Sequence, residues 1–193
     1  MTARAAAAQE TRAALLDAGL EIAEQHGLSG MSVNRVVAAA GVAKGTFYVH
    51  FPDRDAFLSA LHRRFHLRIG EAVFAAMAGV EPGPVRLRRG MEAYFEVCLR
   101  GRGVRAMLLE ARNSPGVSAE VADRNAAFVA VAEPDLRAMG WTEARTAARL
   151  VIAMSAELSM AEMGTGERDD VGRQVLWDLL ERLDQNTKDE TLE

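Results

Sequence analysis

The 193 residues carry 23 Lys and Arg against 27 Asp and Glu, and 49% are apolar, enough for one large domain or for two smaller ones with real cores. No run approaches the roughly 18 consecutive apolar residues of a membrane span, and residues 1–10 lack the apolar stretch of a secretion signal, so a cytoplasmic protein without membrane contact is expected. The net charge of -4 is uneven, +2 over residues 1–70 and -6 beyond, which suits a phosphate-facing first segment.

Ala, Leu, Arg and Glu dominate, and no stretch alternates with period two, so the chain reads as all-α. From Gln9, the residues Leu15, Leu16, Gly19, Leu20, Ile22 and Ala23 recur at helical spacing until Gly27 and Gly30 end the pattern. Ser32 is a good cap for a short helix with Val33, Val36, Val37 and Ala40 on its apolar face, stopped by Gly41. A second short helix follows from Ala43 to Phe51, where Pro52 forces an exit. Asp53 then caps a long helix with Phe57, Leu58, Leu61, Phe65, Leu67 and Ile69 on or near one face, and Gly79-Val-Glu-Pro-Gly-Pro84 breaks it. Helices are expected over 85–99, 102–111, 118–139 with a kink at Pro134, 142–163 and 169–184. A polar, frayed tail closes the chain.

Two short helices separated by a glycine turn, behind a longer support helix, are the parts of a helix-turn-helix DNA reader. Its second helix must project so that its N-terminal half enters a major groove about 12 Å wide. Val42 and Phe47 anchor that helix inward, while Lys44, Thr46, Tyr48 and His50 alternate with them and offer a cation, a hydroxyl, a phenol and an imidazole. Gly45 costs about 1 kcal/mol in a helix relative to Ala, and close approach of backbone to DNA would offset it. Each side chain also has a plainer reading as cap, surface or packing residue. Spacing alone does not decide between them, because short helical pairs occur in unrelated folds.

The run Ser32-Val-Asn-Arg-Val-Val-Ala-Ala-Ala-Gly-Val-Ala-Lys-Gly-Thr-Phe-Tyr-Val-His-Phe51, continued by Pro52-Asp-Arg-Asp-Ala-Phe-Leu58, resembles the N-terminal domain of the tetracycline-repressor (TetR) family, and the likeness extends over residues 11–65. It implies a DNA-binding domain over 8–54, joined through its fourth helix to a helical regulatory and dimerisation domain over 55–185, with the tail at 186–193. By the same resemblance Ser32 caps and touches a phosphate, and Asn34 reaches toward a base. Lys44, Gly45 and Thr46 stand at the inserting end of the recognition helix, with Tyr48, His50 and Arg54 on the backbone. Ala43 departs from the pattern, where a serine is usual, and removes a cap hydroxyl; Val49 and Pro52 replace commoner polar residues. The implied partners are a double-stranded DNA operator, a small-molecule effector and a second copy of the chain. The implied activity is repression released by the effector, without enzymatic chemistry, cofactor or metal.

In the body, Met91, Phe95, Met107, Phe128, Trp141 and Met154 are candidate pocket residues, since adaptable methionines and aromatic rings suit an apolar ligand, although core packing uses the same types. Ala147, Leu150 and Leu158, with Leu176 and Leu180 on the last helix, are candidates for the dimer seam. Cys98, the only cysteine, reads as core. Glu110, Glu157 and Glu162 read as surface residues, and the arginines between Arg86 and Arg105 as a solvated face or an anion site.

The alternative classes are an enzyme and a helical adaptor without DNA affinity. Gly101-Arg-Gly-Val-Arg-Ala106 matches a dinucleotide fingerprint but follows a helix, not a strand, and His62 with His66 lacks an evident third metal ligand.

Overall fold

The computed structural model describes residues 2–27, 30–101, 104 and 115–189, of which 115–122, 124 and 182–189 are described in backbone only. Among these residues the chain is all-helical, with eight helices and no strand. The expected helix over 102–111 lies outside the described residues, as do Met107 and Glu110. The chain divides into two compact units, one of Met1–Leu67 with Gly101–Val121, the other of Arg68–Arg100 with Ala122–Glu193.

In the first unit, α1 (Ala3–His26) begins six residues before the expected Gln9. The Thr2 side chain accepts from the Ala5 amide, and the alanines that follow have the strongest helix propensity of any residue, so the helix extends through a segment with no apolar periodicity. The short α2 (Val33–Ala39) is capped by Ser32, whose Oγ accepts from the Arg35 amide at 3.3 Å. Gly41 turns the chain with φ at +67°, a conformation in which any other residue carries strain. The short α3 (Lys44–His50) follows Ala43, which supplies no side-chain cap, as the missing serine implied. Helix α4 (Arg54–Met77) is opened by Asp53, whose Oδ1 accepts from the Ala56 amide at 2.7 Å.

The core of this unit joins Leu15, Leu16 and Leu20 of α1 to Val36, Val37, Phe47, Phe57 and Leu61. Gly19 lets α1 approach α4 closely: a Cβ there would stand 2.7 Å from the Phe57 ring and 3.0 Å from Leu61.

The second unit contains α4 from Arg68 onward, α5 (Pro84–Arg100), α6 (Pro115–Ala138) from Ala122 onward, α7 (Ala144–Thr165) and α8 (Asp170–Asp189). Pro134 lies inside α6 and has no N–H for the Ala130 carbonyl, yet the helix continues to Ala138. Helix α8 continues past residue 184, where the sequence pattern ended, because a polar turn can stay helical without an apolar stripe. Leu87, Met91, Phe95, Leu136, Ala148, Val151, Trp177 and Leu180 form the centre of a core shared by α5, α6, α7 and α8.

Candidate functional site

Burial on α3 follows a helical period and not the alternation expected from the sequence. Phe47 is completely buried and Phe51 almost so, and with Phe57 they form a cluster of rings whose centroids lie 5.0–5.4 Å apart. The Arg12 guanidinium covers the Phe51 ring at 5.0 Å. This cluster fixes the inner side of α3, so the outer side is held in a rigid frame.

That outer side presents Lys44, Gly45, Tyr48 and Val49. Tyr48 is half exposed, its ring edge-on to Phe47 at 5.4 Å, and Val49 is 81% exposed. Thr46 and His50 are half-buried at the flanks. Ser32, Asn34 and Arg35 at the start of α2 and Arg54 at the start of α4 are exposed. Ser32 therefore caps α2 while its surface stays open, so a phosphate contact and the cap are compatible. Val49 was passed over in the sequence as a departure from pattern; helical phase, with Gly45 four residues before it, is the signal that places it outward. An exposed β-branched side chain on a short helix has methyl groups to offer a thymine methyl.

In the second unit, Val73, Met77, Met91, Phe128, Ala132 and Ile152 wall a cavity of about 50 Å³. Of the expected pocket residues, Met91 and Phe128 line it. Phe95 is fully buried in the core with the Arg173 guanidinium over its ring at 4.7 Å. Trp141 packs partly buried against that core, and Met154 is on the surface. The polar wall residues are Tyr94, Asn125, Asp135 and Ser155, none of which the sequence singled out. Asp135 is wholly buried: its Oδ1 accepts from the Gly83 amide at 2.9 Å and from Arg86 Nε at 2.6 Å.

The charged side chains of the body sort differently from their expected places. Glu162, expected at the surface, is buried because Arg173 meets it with two bonds, Nε to Oε1 at 2.6 Å and a terminal nitrogen to Oε2 at 2.9 Å. Arg173 also reaches Glu92 at 2.6 Å. The arginines after the proline break do not act as one face: Arg86 is paired to Asp135, and Arg88 lies over the Trp177 ring at 5.1 Å. Cys98 is buried. The His62 and His66 rings lie tilted to each other by 58° with centroids 4.3 Å apart, and no cluster of three or more metal-ligating side chains occurs among the described residues.

The candidate dimer residues Ala147, Leu176 and Leu180 belong to the protomer's own core, and Leu158 packs partly against it. Leu150 is exposed, together with Met154 on α7 and Val171, Val175 and Leu179 on α8. The helical phase of α8 explains the shift, since 171, 175 and 179 form one stripe and 173, 176 and 180 the next. None of the described helices is long and apolar enough to cross a membrane.

An all-helical chain that holds a short, exposed helix on a ring cluster behind a glycine turn has the build of a helix-turn-helix DNA-binding protein. Residues 15–61 match the family of bacterial regulatory proteins named tetR. The chain is 34% identical over 82 residues to the transcriptional regulator AcrR of Shigella flexneri, covering 42% of this chain and 38% of that one. It is 29% identical over 89 residues to the repressor DhaR of a Mycobacterium species, covering 46% and 45%. The match thus spans less than half the length of either relative. An uncharacterized helix-turn-helix regulator of Mycobacterium tuberculosis aligns over 159 residues at 26% identity, 81% of this chain and 77% of that one. Among solved structures, a transcriptional regulator of Rhodococcus superposes with a TM-score of 0.74 at 20% identity over 91% of this chain and 96% of that one. The multidrug binding protein EbrR, complexed with imidazole, does so at 0.73 and 22% over 89% and 93%. Residues 15–61 thus match the DNA-binding segment of the tetR family, and the chain shares its fold with the solved regulators it superposes on.

Proposed function

We propose that the chain is a ligand-responsive, cytoplasmic transcriptional repressor that binds an operator as a homodimer and leaves it when a small molecule occupies the body. The observation that carries this reading is the outward face of α3, with Lys44, Gly45, Tyr48 and Val49 exposed over a closed ring cluster, within the segment that matches the family. Lys44 and Gly45 are the first helical residues, where side chain and amide dipoles both favour phosphate oxygens. Ser32, Asn34, Thr46, His50 and Arg54 surround that face and supply further donors.

One recognition helix reads too few base pairs to find a site among genomic competitors, so two copies are needed. The exposed stripe of Leu150, Met154, Val171, Val175 and Leu179 is the surface that a second copy would cover. The dimer would hold its two recognition helices about 34–36 Å apart, one turn of DNA. A ligand in the cavity lined by Met91 and Phe128 releases the DNA only as far as it prefers a different spacing. The likeness to a multidrug binding protein supports a small-molecule site in the body.

The test is binding to duplex DNA from the chain's own upstream region. Lys44→Ala should weaken it and lower the salt dependence by about one unit of slope. Unchanged affinity and slope sink the assignment, and a monomeric mass by light scattering sinks the dimer.

A further inference from the structure

We infer that the cavity of the second unit selects neutral, largely apolar molecules carrying one hydroxyl or N–H group, which donates to Oδ2 of Asp135. This deepens the reading of the cavity as the effector site and rests on it.

The polar groups on the wall are not interchangeable. Asp135 is completely buried and lines the cavity; its Oδ1 is occupied by the Gly83 amide and Arg86, while Oδ2 is buried with no hydrogen-bond partner. Ser155, on the opposing α7 wall, donates its hydroxyl proton to the Val151 carbonyl at 2.7 Å, so toward the cavity its oxygen can only accept. Both groups therefore ask for a donor. A molecule that fills the space without one leaves a buried carboxylate oxygen unmet, the most costly state for a polar group in an apolar setting.

The same geometry argues against a cation. Arg86 lies 2.6 Å from Asp135 and neutralises it, so an ammonium would bring an unbalanced charge between apolar walls. Shape is the weaker filter. Gly90 leaves room for the flexible Met77 side chain, whose sulfur would lie 2.7 Å from a Cβ at that position, and with Met91 it gives a wall that adapts.

Benzyl alcohol and methoxybenzene are isomers that differ in the hydroxyl donor, and benzylammonium supplies the charge. Titrated calorimetrically into the full chain, benzyl alcohol should bind about 3–10-fold more tightly than methoxybenzene, with benzylammonium weaker than the alcohol. Asp135→Asn keeps an acceptor for Gly83 and Arg86 but puts an amide donor in place of Oδ2, and should narrow or abolish the preference for the alcohol, whose oxygen can then only accept there. Equal affinity for the isomers, tightest binding by benzylammonium, or no binding of the alcohol overturns the proposal. Should the variant fail to fold, the isomer comparison on the unaltered chain decides alone. If the alcohol shows its preference yet leaves affinity for upstream DNA unchanged, this inference stands and release by that ligand falls. If the isomers bind equally while DNA binding responds to Lys44→Ala, this inference falls and the DNA-binding reading stands.

Discussion

The two units handle polarity in opposite ways. In the first, chemistry sits outside: donors on α2, α3 and α4 face solvent, and the interior is rings and aliphatic chains, with His62 the one buried polar side chain recorded among its described residues. In the second, Asp135, Ser155, Ser159, Glu162 and Arg173 are all buried. This division suits the proposed function, in which the first unit reads DNA and the second senses a ligand: a reader of a fixed DNA shape benefits from a rigid platform whose surface can vary. A sensor must hold polar groups where a ligand can meet them, and ion pairs inside a helical body define which arrangement of helices is preferred.

Removing Arg173 tests that contrast most severely. Burial alone would push its guanidinium down, but the hydrogen bonds and charges of Glu162 and Glu92 more than reverse this and hold it above the ordinary arginine range. A group so raised stabilises the fold at every pH below its ordinary value, so no loss through the arginine is expected from neutral to mildly alkaline pH. Arg173→Met leaves Glu162 buried and uncompensated, and should cost about 3–5 kcal/mol in urea unfolding. Pairing it with Glu162→Leu should recover most of that loss. A single variant as stable as the parent would show that the second unit does not depend on its buried charge.

Gly45 probes the first unit with a smaller effect of two signs. A Cβ at Gly45 meets nothing within 4 Å in the protein itself, so Gly45→Ala should stabilise the fold by up to about 1 kcal/mol through helix propensity. If the glycine serves close approach to DNA, the same change weakens binding to upstream DNA. Greater stability with undiminished DNA affinity would reduce Gly45 to an ordinary surface residue.

The first unit was the more legible in sequence because its signals are local. Ser32, Gly41, Pro52 and Asp53 punctuate α2, α3 and α4 close to their observed bounds, since caps and breakers act within a turn of where they stand. The face of α3 was less legible: alternation was read where helical phase governs, which hid Val49. In the second unit the elements were visible but the site was not. Phe95, Trp141 and Met154 have the composition of pocket residues, and whether each meets core, cavity or solvent is set by partners far away in sequence. Asp135 reads locally as one more charge on a helix, and its role depends on Gly83 and Arg86, roughly 50 residues earlier. Leu176 and Leu180 differ from Val175 and Leu179 only by helical phase, and small errors of phase exchange a core for an interface.

The smallest expected effect concerns the ion pair that joins α1 to α4 within the first unit. Arg64 meets Asp17 with Nε and a terminal nitrogen both on Oδ1 at 3.3 and 3.2 Å and a longer 3.4 Å contact to Oδ2, a looser fork than that of Arg173 on Glu162, and the side chains are 36% and 44% exposed. Water screens the attraction and competes for each donor, so geometry alone does not set the energy. A double-mutant cycle with Arg64→Met and Asp17→Ala should give a coupling below about 1 kcal/mol that shrinks further in high salt. The fork at Arg173 should keep most of its coupling in the same salt, because few ions penetrate a buried pair. Equal couplings at the two forks would mean that exposure does not separate the units, and the contrast between an outward-facing reader and an inward-facing sensor would lose its energetic basis.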